Sequence, residues 1–262
     1  MTLKRVLIGV TILAALGGGT LFVLDQTIFA PVAVSTSVPV APTLSVPTPT
    51  QPAASADPTA AVPTQLPAGT SAQTSLDVNA AGVQLYRIDA GQSEVRYEVG
   101  ETFFNENNRF NLAIGRTRGV AGDVLVDFAQ PSNSQIGEMV IDVSQFTSDQ
   151  SRRDNFIRRN GLESSRYPQA RFVTRSIEGL PAQVAVGDQV TFRISGDLTV
   201  KEMTRPVTWN VTLTLEDGRV VGSASTEILM SDFGVGPIRL ATLLTEDLVK
   251  LFFDFVAMPV EG

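Results

Sequence analysis

Between Gly196 and Leu215 the chain reads GDLTVKEMTRPVTWNVTLTL. Leu198 and Val200 alternate with Asp197, Thr199 and Lys201. Further on, Val207, Trp209, Val211, Leu213 and Leu215 alternate with Thr208, Asn210, Thr212 and Thr214. Strict period-two alternation rich in Val, Thr and Leu predicts antiparallel strands with one apolar and one wet face. The break KEMTRP has the polarity of a connection, and Pro206 opens the second strand, where no ladder donor is required. The stretch is therefore a predicted β-hairpin.

The same period recurs along the C-terminal two thirds of the chain. Tyr86–Val99 sets Val95, Tyr97 and Val99 against Glu94, Arg96 and Glu98. Gly119–Phe128 places Val120, Val124 and Val126 on one face, and Glu138–Phe146 does so with Met139, Ile141 and Val143. Ala170–Ile177, Gln189–Val200, Arg219–Leu229 and Leu248–Met258 complete the set, the last with Leu251, Phe253 and Phe255 opposite Lys250 and Asp254. About eight strands with turns between them predict a closed barrel or a sandwich. Ser148–Asn160 breaks the pattern. Ser148 or Asp149 suits a helix start, Arg158 and Arg159 suit its negative end, and Gly161 suits a left-handed stop. A short helix over one mouth of the β-structure is expected, with a second at Leu240–Asp247.

Upstream of the strands the pattern changes twice. In residues 1–30, Lys4 and Arg5 precede an apolar run from Val6 to Leu24, closed by Asp25. Nineteen residues at about 1.5 Å each reach roughly 28 Å, close to a bilayer core. The run predicts a transmembrane helix or uncleaved signal anchor, with the flanking cations in the cytoplasm and the rest extracytoplasmic. The alternative is a cleaved signal peptide, which would leave the protein secreted or periplasmic. Residues 31–81 are rich in Pro, Thr, Ser and Ala, nearly uncharged and without period. They predict a disordered linker whose ends average about 40 Å apart. Residues 82–262 are the one folded domain expected, and a fragment with those bounds is expected to fold by itself.

Composition narrows the chemistry. A net charge of −7 argues against a nucleic-acid partner. The chain has neither cysteine nor histidine, which closes thiolate and imidazole chemistry and imidazole-based zinc sites. Asp123, Asp127 and Asp142 fall on exposed strand faces in this phasing, and no carboxylate pair has a spacing that demands acid–base work. A binding protein rather than an enzyme is expected, with no metal. Two features remain. Arg152, Arg153, Arg158, Arg159 and Arg166 form the densest cationic cluster, either a phosphate clamp or a solvated helix face. The inward faces form either a filled core or a cavity for one small ligand. Gly122, Gly196, Gly222 and Ala224 are small inward positions that would leave space.

Several short motifs resemble the YceI-like family of small lipocalin-like barrels. Gly196, Leu198, Thr199, Lys201, Thr204, Pro206 and Val207 resemble its most recognisable hairpin. Tyr86, Asp89 and Ser93 resemble its opening pattern, with Gln92 where histidine is usual. Arg153-Asp154, Tyr167-Pro168 with Phe172, and Asp232-Phe233-Gly234 follow in the family's order. The resemblance implies an eight-stranded antiparallel barrel with one or two short helices, here preceded by a transmembrane helix and a disordered stalk. It also implies an apolar interior holding an isoprenoid or similar lipid, with no other cofactor. The expected ligand-facing residues are Val95, Tyr97, Val124, Ile141, Phe172, Ile194, Trp209, Val211 and Phe253. The head-group candidates are Arg152, Arg153 and Arg158. The alternative is an envelope interaction module with a filled core that binds a protein or glycan through its surface.

Overall fold

The computed structural model describes residues 32–45, 82–216 and 218–261. Twelve strands lie among them. β1 (Val83–Ile88) and β2 (Glu94–Phe103) are followed by β3 (Arg109–Thr117), β4 (Val120–Ala121) and β5 (Asp123–Asp127). β6 (Gln135–Ile136), β7 (Met139–Asp142) and β8 (Gln169–Glu178) come next. β9 (Gln189–Val200), β10 (Met203–Glu216), β11 (Arg219–Leu229) and β12 (Leu243–Pro259) complete the set. All pair antiparallel in one sheet, in the order β4-β7-β8-β9-β10-β11-β12-β1-β5-β6, with β2 between β12 and β3. β4 and β5 are separated in the chain by Gly122 alone, so the ends of this path meet and the sheet curls on itself. The long β12 spans the curl, pairing with β2 from Leu243↔Phe103 to Asp254↔Glu94 and with β1 at Ala257↔Ile88.

Most predicted strands lie where alternation put them, and Gln189–Val200 and Arg219–Leu229 match residue for residue. The hairpin is tighter than expected. β9 and β10 are joined by Lys201 and Glu202 alone, with Lys201 at φ 57°, and Pro206 sits inside β10 opposite Asp197. Leu240–Asp247 is not a helix, because β12 already begins at Leu243. β3 was not anticipated. Its large apolar residues point outward, with Phe110 and Leu112 exposed, while Ala113 and Gly115 take the tighter side. Gly115 is required there, since a Cβ would stand 2.1 Å from the Tyr97 ring.

One short helix, α1 (Ser151–Phe156), continues into a π-helical turn, Ile157–Gly161. Its N-cap is Gln150, without a side-chain cap. Ser148 works just before it, where its Oγ donates to Asp154 (2.6 Å) and accepts from the Gln150 N–H (3.2 Å). The left-handed residue after the turn is Glu163, at φ 50°, in place of Gly161.

The outer surface is of two kinds. Across β9 and β10 it is a ladder of paired hydroxyls: Thr191 with Thr212, Ser195 with Thr208, Thr199 with Thr204. Over β5 and β7 it is covered. Leu125 and Val140 point away from the interior yet are 4% and 0% exposed. Asp123 and Asp142, expected on exposed faces, are buried with them. Residues 32–45, from the stretch expected to be a disordered linker, lie over this face with Pro39 buried. Among the described residues no helix is long and apolar enough to cross a membrane. The predicted anchor and the remaining linker fall on residues 1–31 and 46–81, outside the described residues.

Candidate functional site: an apolar interior under a helical lid

The inward faces of the curled sheet enclose two compartments of about 320 and 170 Å³. They meet at a waist, since Val95, Ile141, Leu198 and Trp209 line both. The smaller compartment is aliphatic and aromatic along its walls, with Val124, Phe172, Ile194, Val211 and Phe253 among them. The larger runs from the waist past Tyr97 and Phe146, whose rings meet edge to face at 5.2 Å, to the lid formed by α1 and its π-helical turn. All nine residues expected to face a ligand therefore line one compartment or both. An apolar cavity of about 150 Å³ holds one benzene ring, so by that measure the two compartments together take about twenty carbons. The interior is not a filled core.

The glycines contribute no room. A Cβ on Gly122 would meet the Met139 sulfur at 2.1 Å, one on Gly196 the Phe172 ring at 2.6 Å, and one on Gly222 the Phe255 ring at 2.7 Å. Neighbouring side chains already occupy those spaces. Ala224 does line the smaller compartment.

Polar groups gather at the lid end: Glu101, Gln150, Arg152, Arg153, Thr242 and Thr245. Arg153 and Glu101 form a bidentate ion pair, Nε to Oε1 at 3.0 Å and Nη2 to Oε2 at 2.8 Å, with side chains 7% and 4% exposed. Arg153 also donates to Ser148 Oγ at 3.1 Å and to Asp149, and Asn111 donates to Glu101 at 3.0 Å. Burial alone would lower the Arg153 guanidinium, but the bonds to Glu101 and Asp149 outweigh it and raise it above its ordinary value. Burial pushes the Tyr97 phenol well up, and the Asp154 carboxylate pushes it further, so this hydroxyl stays protonated. Arg158 donates to the carbonyls of Ser144 (2.9 Å) and Phe146 (3.0 Å) and to Asn155 Oδ1 (3.1 Å).

These contacts correct the expectation for the arginines. Arg153 and Arg158 are neither a solvated helix face nor an open clamp, because both are buried, Arg153 tying the lid to β2 and Arg158 tying it to the turn after β7. Arg152 alone of the three has an exposed side chain and lines the mouth. Arg166 pairs with Glu202 at 3.2 Å, away from the interior. Gln92 is equally remote, donating to Asp89 at 2.6 Å in an exposed turn. Sequence reasoning missed Glu101 and the covered face. Glu101 is 52 residues from Arg153, and period two alone does not distinguish an ion pair from an exposed glutamate.

A family model described as the YceI-like domain matches residues 86–257. The chain belongs to the YceI-like family. The match takes in every strand from β2 to β11 and both compartments. A UPF0312 protein from Pseudomonas putida is 28% identical over 135 residues, 49% of this chain and 67% of that one. Among solved structures, BcnA from Burkholderia cenocepacia superposes with a TM-score of 0.52 at 23% identity, covering 65% of this chain and 99% of that one. A polyisoprenoid binding domain from Saccharophagus degradans reaches a TM-score of 0.49 at 13% identity, covering 67% and 98%. The likeness to BcnA concerns the fold, and the YceI-like fold here is the curled sheet with its lid.

Proposed function

We propose that this chain is an extracytoplasmic lipid-binding protein that takes an isoprenoid or similar apolar chain into an eight-stranded, lipocalin-like barrel. The observation that carries this reading is the apolar interior, two adjoining compartments that share Val95, Ile141, Leu198 and Trp209 as lining. In this reading β1 with β2, β3 through β5, and β6 with β7 each count as one interrupted strand, and β8 to β12 supply the other five. The apolar run Val6–Leu24 tethers the protein to the membrane, as a single-pass anchor with the barrel outside. Membership of the YceI-like family supports a lipid ligand.

The energetics favour exchange over storage. From water, apolar burial at about 25 cal/mol per Å² makes uptake strong. From a bilayer, where the chain is already apolar, the net gain is near zero. Selectivity then rests on the polar end of the ligand, which meets the lid-end groups, and of the three arginines Arg152 is the one placed to meet it. Among the described residues, neither a carboxylate pair nor a nucleophile faces the interior in an arrangement that suggests catalysis, so binding is the proposed activity.

The test is organic extraction and mass spectrometry of the purified protein. Co-purified lipid of one chain class, released on denaturation and absent from Val211→Glu, is the expected result. An empty wild-type protein that also refuses added polyprenyl phosphate rejects the carrier. Arg152→Ala should change head-group preference without loss of chain binding.

A further inference from the structure

The segment 32–45 is held to the domain near both of its ends. The Ser35 N–H donates to Ser144 Oγ at 3.2 Å, and Gln145 Nε2 donates to the Ser37 carbonyl at 2.8 Å. Further on, the Leu44 N–H donates to Asp123 Oδ2 at 3.3 Å, and Arg87 reaches Thr43 Oγ1 at 3.4 Å. The Leu44 side chain lies 3.2 Å from where a Cβ on Gly137 would stand. As the segment advances its partners fall from 144–145 to 137, so it runs antiparallel to the β6–β7 stretch, on the outside. On the same strands as its partners Arg87 and Asp123, and on β7, the outward apolar residues Leu85, Leu125 and Val140 are all buried. The direction matters. Ser144 also receives Arg158 from the lid through its carbonyl, so one residue is held by the lid on one side and by Ser35 on the other. The Leu44 end lies beside Asp123 and Gly137, next to Ile136 and Met139 of the smaller compartment.

We infer that residues 32–45 are an orienting strap, which fixes the exit of the chain beside the lid and so turns the mouth of the larger compartment toward the membrane. The inference rests on the anchor proposed above. Without the strap, the tether from Leu24 to Gly82 would be a long linker with no preferred direction. With it, seven residues separate Leu24 from Val32. The eight steps from Leu24 to Val32 reach at most about 29 Å, so the start of the strap, beside the lid-bound Ser144, stays within that distance of the end of the anchor. A short tether at one end gives an apolar chain a brief path between membrane and interior, and keeps the opposite loops, around Leu180 and Val184, pointing away.

The chain has no cysteine, so introduced pairs report cleanly. In the full chain, Leu44→Cys with Gly137→Cys, and separately Ser37→Cys with Gln145→Cys, should form disulfides on mild oxidation. Leu44→Cys with Gln183→Cys should not. Folded protein in which neither of the first two pairs cross-links overturns the docking. For orientation, the full chain is placed in phosphatidylcholine vesicles carrying a head-group nitroxide quencher, with a fluorophore on Arg109→Cys or on Gln183→Cys. Arg109 stacks on Phe103 of the larger compartment, at the lid end. The Arg109 label should be quenched several-fold more than the Gln183 label, and Leu44→Asp should shrink the difference. Equal quenching in the strapped protein overturns the orientation. Protein that does not join the vesicles rejects the anchor and the orientation with it, and the disulfides still decide the docking. Neither result bears on whether the interior binds lipid, which extraction measures separately.

Discussion

The two halves of the interior solve opposite problems. Below the waist, the smaller compartment is apolar side-chain packing with space left over: Val211 is fully enclosed, Phe253 tilts against Phe255 at 5.2 Å, and among the described residues only Asp127 and Ser134 bring polar side chains to its lining, with no ion pair. Above it, the larger compartment ends in a buried Arg153–Glu101 pair with Ser148, Asp149 and Asn111 around it. A buried pair of this kind gains little net stability over an apolar substitute, yet removing one partner is costly because the other charge stays behind. It is better suited to fixing the lid in one position than to strengthening the fold. The difference is one of chemistry: the lower half is apolar wall alone, whereas the upper half ends in a charged network that fixes the lid.

Four perturbations would break or sharpen this contrast. Val211→Glu puts a charge into the apolar half with no partner. It should cost at least about 4 kcal/mol, an orphaned buried charge plus lost packing, and abolish chain binding. Urea unfolding and ligand titration measure both, beside Thr208→Glu on the wet face, which should stay within about 0.5 kcal/mol of wild type. Arg153→Met should cost about 3–5 kcal/mol by leaving Glu101 uncompensated, and adding Glu101→Leu should restore most of it. A loss under about 1 kcal/mol for the single change would mean that the lid end is wet. Trp209→Ala, at the waist, should cost about 3 kcal/mol and merge the compartments, shifting the preferred ligand to a bulkier chain. The smallest effect lies just beyond the lid. The hydrogen bond from Lys201 holds the Glu163 carboxyl below its ordinary value. Its contribution is full above the unfolded pKa and is lost as pH falls through the lowered folded one. Glu163→Gln should therefore flatten a slight acid-side decline in urea midpoint.

How much of this was legible in the residues depended on which face they took. Alternation placed Val95, Tyr97, Val124, Ile141, Ile194, Trp209, Val211 and Phe253 inward because a period of two assigns a whole strand at once. The same logic failed at β3, where Phe110 and Leu112 face out and Ala113 and Gly115 leave the opposite side to the Tyr97 ring. It also failed over β5 and β7. Leu125 and Val140 were apolar residues out of phase with their strands, a sign that something covers that face, but composition cast residues 31–81 as a linker throughout. Pro39, Leu44 and three serines hardly look like a folded element, since the strap is held by backbone groups that any sequence carries. The arginines were misread for a related reason: burial of a guanidinium is decided by a carboxylate far away in the chain.

The central claim is that the interior accepts one apolar chain through both compartments. Trp209 is the only tryptophan in the protein and lines both sides of the waist, so its emission reports passage directly. The protein should be titrated with prenyl alcohols of increasing length while tryptophan fluorescence is followed. The account predicts a saturable change at one chain per protein, with affinity that climbs with length and levels off near the interior's capacity of about twenty carbons. Absence of any saturable change at every chain length would contradict it.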